Sequence, residues 1–291
     1  MFTLTLLAAP DRADLPSSLV EELRKRWNGG PARWLEREVA AEFPLEDQPA
    51  GFWDRWEMLQ ELGFDMALQP SQDRRKSILL ADMDSTMIQQ ECIDELADFA
   101  GVGERVAAIT ARAMNGELNF HEALVERVGL LAGLQESVIE QVLDSRITLM
   151  PGGRTLIATM KAHGAYTALV SGGFTVFTEP VAAALGFDEH RANTLLSEDG
   201  VLTGHVSLPV LGREAKIEAL EQITARHGLT PAAAIAVGDG ANDLGMLHLA
   251  GTGVALHAKP SVAAQVSVRV NHGDLTSLLY LQGYSQPEFT L

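Results

Sequence analysis

Three short runs constrain this chain more than anything else in it. Ile78-Leu79-Leu80-Ala81, Ala165–Val170 and Ala233–Val237 are largely apolar, with no alternation of polar residues. A strand with one wet face alternates, whereas a strand covered on both faces stays apolar throughout. Each run opens into a polar turn: Asp82-Met83-Asp84, Ser171-Gly172-Gly173 and Gly238-Asp239-Gly240. Helical stripes lie between the runs, such as Leu156, Ile157 and Met160, closed by Gly164. Buried strands alternating with helices predict an α/β fold with a doubly wound parallel sheet. Ligands in such sheets bind at the carboxyl ends of the strands, so the three polar turns should converge there.

Two segments do not follow this rhythm. Residues 1–70 read as a small α+β unit of order βαβαβ, with strands at Phe2–Ala8, Trp34–Phe43 and Met66–Leu68. Its helical stripes are Leu19, Val20, Leu23, Trp27 and then Phe52, Trp56, Leu59, Leu62. The polar stretch Pro70–Lys76 reads as a linker to a second unit over 77–291. Between the first two core strands, residues of about 89–147 are helical by pattern and read as a cap over the strand ends. There Asn119 and Glu122 have capping-box spacing ahead of Phe120, Leu124, Val128 and Leu131. Glu198-Asp199-Gly200, between strand-like runs, predicts a hairpin.

The polar turns carry residues able to do chemistry on a phosphate ester. Asp82 could attack phosphorus, and Asp84, two residues on, could protonate the leaving oxygen and then activate water. Asp239 and Asp243 add carboxylates at another strand end, and with Asp82 they could hold Mg2+ through hard oxygen ligands. Ser171, Gly172 and Gly173 can offer a hydroxyl and backbone N–H groups to phosphate oxygens. Lys216, on a helix starting near Gly212, could add a positive charge. Taken singly, each has a plain structural reading: a turn, an Asx cap, a solvated lysine. Arg127 falls on the apolar face of its helix, where an unpaired guanidinium is costly and needs an anion; its plain readings are a snorkelling side chain or an internal pair with Glu91.

Taken in order, Asp-x-Asp-x-Thr, Ser-Gly-Gly, Lys and Gly-Asp-Gly-x-Asn-Asp resemble the haloacid dehalogenase-like phosphotransferases over about residues 77–275. The resemblance implies a nucleophile at Asp82, an acid/base at Asp84, and Mg2+ held by Asp82, the Asp84 carbonyl and Asp239. Ser171, Gly172, Asn242 and Lys216 would face the phosphate, with Asp243 supporting metal and lysine. Within that superfamily the chain is similar to the phosphoserine phosphatases. The match lies in Asp82–Ile88 followed by Glu91, Asp94 and Glu95, and in Met114-Asn115-Gly116-Glu117-Leu118-Asn119-Phe120 followed by Arg127. That similarity implies hydrolysis of O-phosphoserine in the last step of serine synthesis, or a phosphatase or phosphotransferase of the same class acting on another small phosphorylated amino acid such as phosphohomoserine. Glu91 would bind its amino group and Arg127 its carboxylate, with Met114 and Phe120 as walls. It also suggests an ACT-like regulatory role for residues 1–70, although no motif there matches. Effector binding, a homodimer surface and neither all stay open. Every matched residue lies beyond Arg75, so a chain starting there is expected to keep the chemistry.

Composition narrows the partners. The formal net charge of −17 disfavours nucleic-acid phosphates and anionic membrane surfaces. It does not disfavour a small anion in a locally positive site. Cys92 is the only cysteine, so no intrachain disulfide can form. Phe2–Ala9 lacks a basic leader and makes a poor signal peptide. The expected compartment is the cytoplasm.

Overall fold

The computed structural model describes residues 1–114 and 117–291, and for Met114 the backbone alone. Residues 1–70 form β1 (Phe2–Ala8), α1 (Ser17–Arg26), β2 (Arg33–Glu36), β3 (Ala40–Leu45), α2 (Phe52–Leu62) and β4 (Phe64–Pro70). The sheet order is β2-β3-β1-β4, antiparallel throughout. The expected βαβαβ order is thus corrected to βαββαβ. The stretch read as one strand is a hairpin, turning at Glu38 with φ 64°. A non-glycine residue in that left-handed region leaves no turn signature in the sequence. Elsewhere the hairpin signal is plain: Asp199 and Gly200 both take positive φ, as a type I′ turn requires.

The second unit begins with β5 (Ile78–Ala81). The cap follows as α3 (Cys92–Phe99), α4 (Gly103–Met114), α5 (Phe120–Gly129) and α6 (Ser137–Ser145). Its stalk is the bridge between Ile88 and Leu149, beside the bond from Gln89 N–H to the Thr148 carbonyl. Then come α7 (Gly153–Ala162), β6 (Tyr166–Phe174), α8 (Thr175–Leu185), β7 (Glu189–Asn193), and the hairpin β8 (Leu195–Glu198) and β9 (Val201–Val206). The chain closes with α9 (Arg213–Arg226), β10 (Ala234–Gly238), α10 (Leu244–Leu249), β11 (Thr252–Leu256), α11 (Pro260–Ala263), β12 (Val268–Val270) and α12 (Ser277–Leu281).

The main sheet is parallel, in the order β12-β11-β10-β5-β6-β7. All four residues of β5 are fully buried, as the absence of alternation predicts. Ile78 and Leu80 pack with Leu220 and Met246 of α9 and α10, while Leu79 and Ala81 face the opposite layer with Leu156 and Ile157 of α7. Burying a leucine contributes roughly 1.5–3 kcal/mol, so the pair Leu79 and Leu80 anchors the strand from both sides. From β5 the chain winds outward to β6 and β7, then returns to β10 on the other flank. That reversal makes the β10–β5 boundary the switch point where a ligand crevice opens.

The N-terminal sheet lies against this body. One face, with Leu4, Leu6, Phe43 and Met66, is covered by α1 and α2. The other, with Leu7, Leu35, Val39, Ala40 and Ala67, shares a continuous core with the second unit, including Tyr280 and Leu281. Buried charge accompanies it. Glu42 pairs with Arg33 at 2.7 Å and Arg74 at 2.8 Å, and Arg74 donates to the Leu281 carbonyl at 2.9 Å. No helix is long and apolar enough to cross a membrane among the described residues.

Candidate active site

The strand register brings the polar segments together. Ala81 pairs with Val237 on one side and Leu169 on the other, so Asp82, Ser171 and Asp239 emerge side by side. One expectation changes: Ser171-Gly172-Gly173 is not a turn but the end of β6, which runs to Phe174. Its glycines are needed for close approach. A Cβ on Gly172 would lie 2.9 Å from the Phe120 ring, and one on Gly173 would lie 2.8 Å from Asp84 Oδ2.

At the sheet end, charges are tightly interlocked. Lys216, 1% exposed, places Nζ 2.6 Å from Asp82 Oδ1 and 2.6 Å from Asp243 Oδ1. The Met83 N–H donates to Asp82 Oδ1 at 2.8 Å, and the Gly240 N–H donates to Asp243 Oδ2 at 2.9 Å. Both oxygens of Asp243 are therefore committed. Burial pushes the Asp82 carboxyl well up, Asp243 pushes it further, and Lys216 opposes both. Burial and then Asp243 raise Asp239 to about 6; burial and then Glu91 raise Asp84 to about 7. For Lys216, burial alone would lower the pKa, but the two carboxylates outweigh it and hold the ammonium charged.

These shifts describe a buried site with more negative than positive charge. Carboxylate oxygens of Asp82, Asp239 and Asp243 lie within 4.8 Å of one another. With Asp243 committed, Asp239 and the second oxygen of Asp82 are the donors left for a cation. The set is all oxygen and suits a hard divalent metal. Beside it, Ser171 Oγ accepts the Gly173 N–H at 2.9 Å, which leaves its own proton free to donate. Asp84 Oδ1 accepts the Cys92 N–H at 3.3 Å, tying it to the start of the cap.

The cap closes the other end. Phe120 seats its ring on Gly172 and Gly212, so the cap is in contact with the sheet mouth. Helix α5 is held at its start by the expected capping box, Glu122 N–H to Asn119 at 3.0 Å and Asn119 N–H to Glu122 at 2.9 Å. Glu91 accepts from Ser85 Oγ at 2.8 Å. Arg127 donates through Nε to the Ala123 carbonyl at 3.2 Å and forms no ion pair among the described residues. Burial lowers its pKa, while Asp94, Glu91 and Asp84 pull the other way. A cavity of about 610 Å³ connects the two ends, lined by Asp82, Asp84 and Asp239 below and by Glu91, Phe120 and Arg127 above.

The structure thus brings together nearly every candidate residue. Ser171, Gly172 and Asn242 also line the cavity, with Lys216 and Asp243 just behind Asp82. Met114 ends α4, but its side chain, like Asn115 and Gly116, lies outside the described residues. Sequence reasoning missed Thr110, Arg213 and Lys259, which line the cavity from segments without a motif. It also missed Asn193. This buried side chain donates to the carbonyls of Gly172 at 2.8 Å and Leu211 at 3.1 Å, and accepts the Leu211 N–H at 2.7 Å. It clamps the Ser-Gly-Gly strand end to the segment leading into α9 and Lys216. A single Asn closing a strand-like run carries no signal for that role.

Residues 79–248 match the haloacid dehalogenase-like hydrolase family. The phosphoserine phosphatase of Haemophilus influenzae is 48% identical over 204 residues, 70% of this chain and 65% of that protein. The chain spans little more than half the length of its counterparts in Streptomyces coelicolor and Mycobacterium tuberculosis. Among solved structures, a HAD family hydrolase from Salmonella enterica serovar Typhi superposes with a TM-score of 0.85 at 32% identity, covering 97% of this chain and 98% of that one. A phospho-aspartyl intermediate analogue of phosphoserine phosphatase superposes with a TM-score of 0.66 at 40% identity, over 71% of this chain and 98% of that one. This chain belongs to the haloacid dehalogenase-like hydrolases and, within them, to the phosphoserine phosphatase family.

Proposed function

We propose that this chain hydrolyses O-phosphoserine to serine and inorganic phosphate, through a phospho-aspartyl intermediate on Asp82. The observation that carries the reading is the cavity's two unlike ends. Below are a buried carboxylate pair and a fixed lysine; above are a carboxylate and a guanidinium that do not pair with each other. Phosphoserine presents a phosphate dianion to the first end and an ammonium and a carboxylate to the second.

In the first step an Asp82 oxygen attacks phosphorus and the bond from phosphorus to the serine oxygen breaks. Asp84, whose carboxyl is pushed to about 7, is protonated over a useful part of the neutral range and gives its proton to the departing oxygen. Asp84 then takes a proton from water, which attacks the aspartyl phosphate and releases phosphate. Lys216 and Ser171 stabilise the charge on the transferring group, and closure of Phe120 on Gly172 limits water around it. Mg2+ fits the donors of Asp82 and Asp239, with the Asp84 carbonyl as a further ligand; bound there, it would offset repulsion between carboxylate and phosphate. At the cap, Arg127 holds the substrate carboxylate and Glu91 the ammonium, with Phe120 and Met114 as walls. The sole cysteine, Cys92, is buried and unpaired, which suits a reducing cytoplasm.

The test is phosphate release from phosphoserine, phosphohomoserine, phosphoethanolamine and sugar phosphates, with Mg2+ and with excess chelator. Phosphoserine should lead the panel and chelation should abolish release. A flat profile, or full activity in chelator, would sink the assignment.

A further inference from the structure

The N-terminal unit meets the catalytic unit through a buried carboxylate. Asp65, on β4, is fully buried in an otherwise apolar run. Its Oδ1 accepts the backbone N–H of Asn271, and its Oδ2 accepts those of His272 and Gly273, all at 2.9 Å. The Asn271 side chain donates to Gln60 at 2.7 Å, gripping the same segment again. A buried carboxylate is costly unless hydrogen-bonded, and three successive amides satisfy this one.

The gripped segment leads towards the candidate metal site. The Val270 carbonyl accepts the His257 N–H at 2.8 Å, and the Gly273 carbonyl is bonded to His257 Nε2 at 2.8 Å. His257 has φ 46°, a left-handed conformation that a non-glycine residue keeps only where its surroundings hold it. Two residues on, the Lys259 N–H reaches the Asp239 carbonyl at 3.4 Å. Asp239 and Lys259 line both the catalytic cavity and a second cleft of about 680 Å³, whose wall includes His257, His272 and Gly273.

We propose that Asp65 is a positioning residue for the metal site: through the amides of 271–273 it fixes the loop at 257–259 and thereby the Asp239 carboxylate. The inference rests on the reading of Asp82 and Asp239 as metal donors. It gives the N-terminal unit a role in building the metal site.

The test uses the full chain and Mn2+ as probe, titrated by electron paramagnetic resonance. Asp65→Asn turns one acceptor into a donor facing backbone N–H groups. It should weaken Mn2+ binding about tenfold, as loss of an outer support to a metal ligand does. The Mg2+ concentration for half-activation should rise in proportion, with kcat at saturating metal near the wild-type value. His257→Ala, at an exposed residue, cuts the path in the middle and should weaken Mn2+ in the same direction. The double variant should be no weaker than the weaker single one. A lowered melting temperature with unchanged Mn2+ affinity in Asp65→Asn would overturn the proposal, as would additive losses. Should Asp65→Asn not fold, His257→Ala alone decides, and unchanged Mn2+ affinity there overturns it. Failure of the metal reading shows separately, as a flat Mn2+ titration of wild type, and takes the proposal with it.

Discussion

The two ends of the candidate active-site cavity handle charge in opposite ways. At the sheet end, Lys216 is locked between Asp82 and Asp243, and both Asp243 oxygens are committed before any ligand arrives, while Asp239 and the second Asp82 oxygen are left for a cation. At the cap end, among the described residues, the Glu91 side chain hydrogen-bonds to Ser85 alone and Arg127 to a backbone carbonyl alone. Preorganised charge serves a step common to every phosphate monoester, since it need not rearrange in the transition state. Unmatched charge serves choice, because only a ligand bearing the complementary groups offsets the cost of burying it. On the proposed reading the cavity separates chemistry from selection, with a lysine fixed in advance at one end and a carboxylate and guanidinium left unpaired with each other at the other.

The sharpest way to break this contrast is at Asp82, the proposed nucleophile. Asp82→Asn should lower turnover by on the order of 10⁴ or more for every substrate alike, the scale seen when a covalent nucleophile is removed. Beryllofluoride should be trapped by wild type and not by the variant. Retained activity would mean that the sheet end acts only as a binding site. The cap end should respond by one to two powers of ten and selectively, since a hydrogen bond to a charged group is worth roughly 1.5–3 kcal/mol. Arg127→Ala should impair phosphoserine far more than phosphoethanolamine, which lacks a carboxylate. Glu91→Gln should spare phosphoglycolate, which lacks an amine. Equal losses across all three compounds would show that the two residues hold the cap rather than the ligand. The smallest effect is expected at Asn193. Asn193→Ala strands two carbonyls and one N–H, costing roughly 1–3 kcal/mol of stability after relaxation. Thermal melting should record that, with turnover reduced several-fold and the ranking of substrates unchanged.

Legibility in the sequence follows the same division. The sheet end was readable because its residues sit at fixed offsets behind buried strands, and strand periodicity locates those ends. The doubly wound sheet, the inserted cap, the hairpin at Asp199-Gly200 and the capping box at Asn119 all came from local patterns. The hairpin between Arg33 and Leu45 did not, because its turn uses Glu38 where glycine or asparagine would have marked it. Contacts between distant segments left even less trace. Asn193 acts on Gly172 and Leu211, and Asp65 acts on Asn271 to Gly273; neither partner set is visible from spacing. Asp65 did leave one clue, a lone carboxylate within the apolar run Phe64–Leu68. Such a residue is either exposed or holding something, and here it is the second.

The face of the N-terminal sheet that packs on Tyr280 and Leu281 also bears on how the molecule comes apart. Leu7, Leu35 and Ala67 cannot leave their places without opening the layer under the main sheet, and Asp65 would lose its amide partners and Glu42 its pair with Arg74 as they went. Melting of residues 1–70 ahead of the rest is therefore unfavourable, and heating should give one calorimetric transition with equal van't Hoff and calorimetric enthalpies. By the same token a chain beginning near Arg75, though it retains every residue proposed to act in catalysis, starts life with an uncovered apolar floor. Cooperativity, in this architecture, extends across a boundary that the sequence draws as a linker.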